Sequence, residues 1–258
     1  MVARVPRWVL GVSLLAYAFL HLPILVLVAF SFNDSKFSVD WAGFTMEWYY
    51  RLLERPDILR GLKASLIVGG VSTVISAVLG TMIALALARH RFRGRTLVEG
   101  FLYVPIVTPE IVVGISLLVL FATAGVTLGL GTITIAHVAF NISFVAVVVL
   151  ARLHGTGRDL EEAAMDLGAG PVTTFFRVTL PQILPGVVAG ALLAFTMSFD
   201  DFVITFFVAG VGSTTLPLLV YSMVRRGVEP TINAISTIIL VVTTIAILVA
   251  YRLREGAE

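Results

Sequence analysis

EEAAMDLGAGPVTTFFRVTLPQILPG, residues 161–186, is a charged insert punctuated by glycine and proline, set between two long hydrophobic runs. Its local chemistry predicts two short helices. Asp159 is placed to cap the first, with Glu162 three residues on, as in a capping box. Leu160, Ala163, Ala164 and Leu167 then recur at i, i+3, i+4 and i+7, giving one narrow apolar stripe. Gly168 is placed to end that helix, because glycine readily takes a left-handed conformation. Pro171 suits the first turn of a second helix, which is expected to run to about Leu180, where Pro181 stops it. Such a hairpin is too short and too polar to cross a bilayer. On pattern alone two readings stand: it rests on lipid or on its own chain, or it docks a partner.

The surroundings are those of a membrane protein. Of 258 residues, 58% are hydrophobic and 13% charged, against about 25% charged in a soluble domain; the mean hydropathy is +1.00. A net charge of +2, spread among loops, argues against nucleic acid as the main partner. The chain has no Cys, which excludes disulfides and thiolate metal sites. Six runs reach the roughly 20 apolar residues a membrane helix needs: 8–31, 62–88, 97–123, 132–152, 183–209 and 232–251. The first is longer than a signal-peptide core and is read as an uncleaved span.

Six crossings put both termini on one side. With that side inside, it holds Arg4, Arg7, the four arginines of RHRFRGR (89–95), Arg152, Arg158, Arg177, Arg252 and Arg254, or 11 of the 18 Lys and Arg. The positive-inside rule therefore places both termini, and the insert, in the cytoplasm. The first outer loop carries Trp41, Trp48, Tyr49 and Tyr50 and is expected to lie as an amphipathic segment on the outer surface. It also contains Asn33-Asp34-Ser35, a short match to a glycosylation acceptor.

Glu162-Ala163-Ala164, then Gly168 after three residues, then Val178-x-Leu180-Pro181 after nine more, resembles the cytoplasmic signature loop of bacterial ABC importer permeases. The usual residue at 178 is Ile, so Val is a mild departure. SFDDFVITFFVAG at 198–210 and LPLLVYSMVRRGVEPTINAISTIIL at 216–240 are similar to the permeases of spermidine/putrescine importers. The resemblance implies an all-α type I (MetI-like) permease fold with six transmembrane helices in a single domain over 1–258, and a coupling helix in the loop 154–181. It implies that Glu162, Ala163, Ala164, Asp166, Leu167 and Gly168, with Leu180 and Pro181 closing the motif, transmit ATP-driven motion. It implies a second permease chain, two ATPase chains that hold ATP and Mg²⁺, and a periplasmic or lipid-anchored polyamine-binding protein. No cofactor is expected on this chain.

Three carboxylates lie within hydrophobic runs: Glu110, Asp200 and Asp201. Ionised groups at the bilayer centre are costly and tend to face a cavity or a partner. Counted from the inner helix ends, Glu110 lies roughly 20 Å and Asp200 roughly 25 Å along its helix, in the outer half. Carboxylates neutralise the ammonium groups of a polyamine, and Tyr103 and Tyr221 are candidates for cation–π support. The three acids are therefore expected to line the path; an outer helix end at the water interface is the alternative for the Asp pair. Only one of two adjacent helical residues can face the lumen directly. Pro105 and Pro109 disturb the third span and mark either a gate or a packing kink. Gly69, Gly70, Gly80, Gly186 and Gly190 are expected to allow close helix packing, and His21, His90, His137 and His154 are assigned to packing or interfaces.

There is no G-x-x-x-x-G-K-[ST] and no HExxH, which excludes nucleotide binding by a P-loop and the zinc-protease pattern. An ion-coupled secondary transporter would use the same carboxylates but leaves the hairpin without a role. An intramembrane aspartyl protease needs two acids from different helices, which adjacent Asp200 and Asp201 do not supply, although Glu110 with one of them would come from different helices. Another small cationic or opine-like solute remains an alternative cargo.

Overall fold

The computed structural model describes residues 6–36, 40–227 and 230–255, with side chains for all of these except Arg7 and residues 246–255. Arg4, and the side chains of Arg7, Arg252 and Arg254 used in the charge comparison, therefore lie outside the described residues. The described secondary structure is helical: α1 (Arg7–Phe30), α2 (Glu47–Leu53), α3 (Pro56–Arg89), α4 (Arg95–Val107), α5 (Glu110–Thr123), α6 (Leu130–His154), α7 (Asp159–Asp166), α8 (Pro171–Thr174), α9 (Leu180–Asp200), α10 (Val203–Val208), α11 (Leu216–Arg226) and α12 (Pro230–Glu255). Packing divides the chain into two compact units, residues 60–219 and the flanking 1–59 with 220–258.

Residues 60–219 build their core around α6. Val68, Phe121, Ile133, Phe140, Ile204 and Val208 form one buried cluster. Val145, Val149, Leu153, Ile183 and Ala194 form a second where α6 meets α9. Small residues set the spacing: a Cβ on Gly80 would lie 2.8 Å from the Val145 Cβ, and one on Gly186 would lie 2.7 Å from the Arg152 Cβ. At Gly190 it would lie 3.3 Å from the Val145 Cα, and at Gly69, 3.2 Å from the Phe195 ring. Four of the five expected packing glycines thus admit a neighbour. Gly70 does not, since a Cβ there meets nothing within 4 Å. Gly210 is the tightest position, with a Cβ falling 1.9 Å from the Leu128 carbonyl oxygen.

Two expected spans and one expected helix end differ in form. The run 97–123 is a bent pair, α4 and α5, turned by 109°. Thr108 is extended (φ −73°, ψ 133°) because it precedes Pro109, which disfavours the helical region for its neighbour. Pro109 then starts α5, its carbonyl accepting from the Val112 N–H at 2.9 Å. Pro105, by contrast, is carried inside α4 without ending it. The run 183–209 is also interrupted: α9 stops at Asp200, Asp201 is extended (ψ 125°), and α10 follows. Finally, Pro181 does not stop the second hairpin helix. Phe175–Thr179 forms a turn of π-helix, and the chain runs helically from Pro171 to Asp200. The wider turn relieves the clash between the proline ring and the preceding turn's carbonyl and accommodates the lost donor.

Among the described residues, four helical stretches are long and apolar enough to cross a membrane: Trp8–Phe30, α3, α6 and Pro171–Asp200, with a fifth if α4 and α5 form one crossing. In α12 the apolar stretch with described side chains is Pro230–Ile245.

In the flanking unit, α12 lies against α1 and α2. Asn33 organises the loop after α1. Its amide donates to the Asp40 carbonyl at 2.7 Å, its Oδ1 accepts from the Ala42 N–H at 2.8 Å, and its own carbonyl takes the Trp48 indole N–H at 2.7 Å. Asn33 is fully buried, so the Asn33-Asp34-Ser35 match is a structural asparagine and not an accessible acceptor. The expected surface segment is likewise only partly on the surface: Trp41 and Tyr50 are exposed, but Trp48 and Leu52 are core residues.

Candidate functional site

The hairpin α7–α8 is defined by its ends. Gly168 has φ +89°; its N–H donates to the Met165 carbonyl at 2.9 Å, and the Ala169 N–H donates to the Ala164 carbonyl at 3.0 Å. This is a Schellman closure, which needs a left-handed residue at that point. Pro171 opens α8. The expected capping box at the other end is absent. Arg158 is the cap, its side chain making no capping bond to the helix, and Asp159 is already helical. Asp159, Glu161 and Glu162 instead put negative charge in the first turn, which favours the positive end of the helix dipole.

The apolar stripe faces outward. Leu160 is 61% exposed and Leu167 90% exposed, with Met165 and Val172 also open. Ala163, Glu162 and Asp166 are exposed, and Ala164 is half-buried. The inward anchor is a residue the motif passes over. Glu161 Oε1 accepts from Arg89 Nη2 at 3.0 Å and from the Thr179 hydroxyl at 3.0 Å. Arg158 adds a bond from Nη2 to the Arg89 carbonyl. The end of α3, α7 and the π-turn before α9 therefore share one ionic node. Leu180 and Pro181 sit just beyond it, at the start of α9.

At the other end of α9 the two adjacent aspartates part company. Asp200 is exposed, whereas Asp201 is buried. Asp201 Oδ2 accepts from the Thr205 N–H at 2.8 Å and the Thr205 hydroxyl at 2.7 Å, and Oδ1 takes the Ile204 N–H at 3.3 Å. His137 Nε2 lies 3.2 Å from Asp201 Oδ2 and 3.0 Å from Thr205 Oγ1. Thr205 has spent its one hydroxyl proton on Asp201, so Nε2 carries the proton here. On the far side of the ring, Nδ1 is 2.6 Å from Ser198 Oγ, which is 3.0 Å from Ser72 Oγ. One turn away, the Asn141 amide donates to the Ala194 carbonyl at 3.2 Å. A polar seam thus joins α3, α6, α9 and α10 inside an apolar core. It corrects the expectation for Asp201, whose acceptor positions are filled within the chain, and it gives His137 a specific partner in place of generic packing.

The remaining expected residues sit at the breaks. Glu110 is exposed at the first position of α5, where its charge suits the helix N-terminus. Tyr103 is 54% exposed on α4. The inner side of the α4–α5 elbow is a cleft of about 280 Å³ lined by Val104, Pro105, Thr108, Val112, Ser116 and Phe140 among others. Beyond it, α5 packs on α10, where a Cβ on Gly114 would lie 2.6 Å from the Phe207 ring. Both broken helices therefore meet. In the flanking unit, the Arg225 guanidinium lies 5.5 Å over the Tyr221 ring and covers one of its faces. Among the described residues no three His, Asp or Glu side chains gather as a metal site.

A membrane chain with two interrupted helices and an exposed hairpin closed by glycine belongs to a recognisable class. Residues 76–255 match the family described as binding-protein-dependent transport system inner membrane component. The chain belongs to that family, and it is an inner-membrane permease subunit of an ABC importer.

Among individual proteins, it is 44% identical over 264 residues to the putrescine transport system permease protein PotI of Escherichia coli strain K12, covering 100% of this chain and 94% of that one. It is 41% identical over 248 residues to the spermidine/putrescine transport system permease protein PotC of the same strain, covering 96% and 93%. The crystal structure of a bacterial ABC transporter for import of the acidic polysaccharide alginate contains a chain of the same fold. The TM-score is 0.73 at 17% identity, over 95% of this chain and 94% of that one.

Proposed function

We propose that this chain, acting as one permease domain over residues 1–258 with six crossings, forms half of an ATP-driven import path for putrescine and spermidine. The observation that carries the proposal is the hairpin: α7 is tied to its own chain through Glu161, while Leu160 and Leu167 stand 61% and 90% exposed. A protruding apolar stripe on a braced element is what a docking surface for a separate engine requires. ATP and Mg²⁺ belong to two partner ATPase chains, and no cofactor to this one. Glu162, Ala163, Ala164, Asp166, Leu167 and Gly168 form the docking face. A second permease chain completes the pore, and a polyamine-binding protein, periplasmic or lipid-anchored, delivers the cargo. An ion-coupled transporter has no use for such a hairpin, which weighs against that reading; another small cationic or opine-like cargo would use the same machinery.

Both termini lie in the cytoplasm. The pairing of Arg89 with Glu161 supports this orientation, since it sets the basic cluster at 89–95 on the same face as the hairpin. The polyamine cargo is supported by the full-length likeness to the two permeases and by exposed acids at both helix breaks. Asp200 and Glu110 offer carboxylates to ammonium groups, with Tyr103 as an aromatic surface, and the Pro105–Pro109 elbow acts as the gate. Asp201 holds the second break in shape. Asp200→Asn removes charge without volume. Uptake of radiolabelled putrescine by the assembled transporter is expected to fall about tenfold at equal expression, the loss of one charge-assisted contact. Unchanged uptake would remove Asp200 from the path.

A further inference from the structure

The signature glutamate, Glu162, is exposed, and its neighbour Glu161 is turned the other way. Adjacent helical residues point about 100° apart, so a single pair can serve two partners. Glu161 and Arg89 have side chains only 14% and 15% exposed, which makes this ion pair far less screened than an open surface pair. The same Glu161 oxygen holds Thr179 in the π-turn. Arg89 ends α3, and the π-turn leads directly into α9. Those two helices are also the ones joined at the polar seam, through Ser72 and Ser198.

We propose that Glu161 is a positioning residue that transmits displacement of the α7–α8 hairpin to α3 and α9 together, through Arg89 and Thr179, and so to the helix break at Asp200–Asp201. This deepens the proposed function and rests on it. Glu162 faces the docked engine, and Glu161 faces the permease. Without the Glu161 node the hairpin still presents its apolar stripe, but its movement no longer commands both helices.

The test uses the complete transporter in proteoliposomes and reads putrescine molecules moved per ATP hydrolysed, in complexes matched for bound ATPase and for thermal stability. Glu161→Ala is expected to lower that ratio about tenfold, within the usual range of coupling energies. Glu161→Gln keeps an acceptor for Thr179 and removes only the charge, and it should lower the ratio less. Glu161→Arg combined with Arg89→Glu restores the ion pair and should recover most of the ratio, which a residue needed only for folding would not do. An unchanged ratio in Glu161→Ala overturns the inference, and so does loss of bound ATPase, which would place Glu161 in the docking face. Failure of the wild-type complex to couple ATP to putrescine movement would instead overturn the underlying reading.

Discussion

Leu167→Glu is expected to abolish capture of the ATPase chains while leaving the permease folded. At 90% exposed, Leu167 contributes almost nothing to the chain's own core. It follows the last residue of α7 and precedes Gly168, whose backbone closes the helix without help from the Leu167 side chain. The substitution therefore carries little folding cost. In a docked complex the same side chain is an apolar anchor, and burying a carboxylate in its place adds desolvation to lost contact. Such central residues cost about 2 kcal/mol or more when removed, a loss of roughly thirtyfold in affinity, and an introduced charge costs more. Co-purification of ATPase chains with the variant, alongside its thermal unfolding in detergent, checks this. Retained ATPase, or a lowered unfolding temperature, would contradict it.

The second large effect concerns the interior. His137→Ala is expected to destabilise the permease by about 1.5–3 kcal/mol, because it removes a hydrogen-bond donor from a buried carboxylate. Asp201 would keep the Ile204 and Thr205 donors but lose the ring, and Ser198 would lose its bond at 2.6 Å. Combining His137→Ala with Asp201→Asn removes the charge that needs compensation, and Asn still accepts at the start of α10. The double variant should therefore be more stable than His137→Ala alone. Thermal unfolding of the four members of the cycle reads the coupling directly; additive effects would mean that the two side chains act independently.

What was legible in the sequence follows the range of the forces involved. Gly168 and Pro171 were readable because the left-handed closure and the first helical turn are set by single residues. The break near Pro109 was readable for the same reason. Pro181 misled because a π-turn upstream, which no local residue type announces, absorbs the proline. The capping box misled because Arg158 took the cap position with its side chain drawn to the Arg89 carbonyl, 69 residues away. The polar seam was the least accessible part. His137 meets Ser198 and Asp201 across separations of 61 and 64 residues. Only the faint pairing of Ser72 with Ser76, and of His137 with Asn141, one turn apart on apolar helices, hinted at a shared polar face. Glu161 was overlooked because the motif singles out its neighbour.

The central claim is that this chain moves cargo only when a separate ATPase acts on its hairpin. The most direct measurement is putrescine accumulation in proteoliposomes holding the purified permease pair, with ATP inside a closed compartment on the hairpin side and loaded binding protein on the other, with and without the ATPase chains. The account predicts concentrative uptake that requires ATP and the ATPase chains together and is lost in Leu167→Glu. Accumulation driven by an ion gradient in the absence of any ATPase would contradict it.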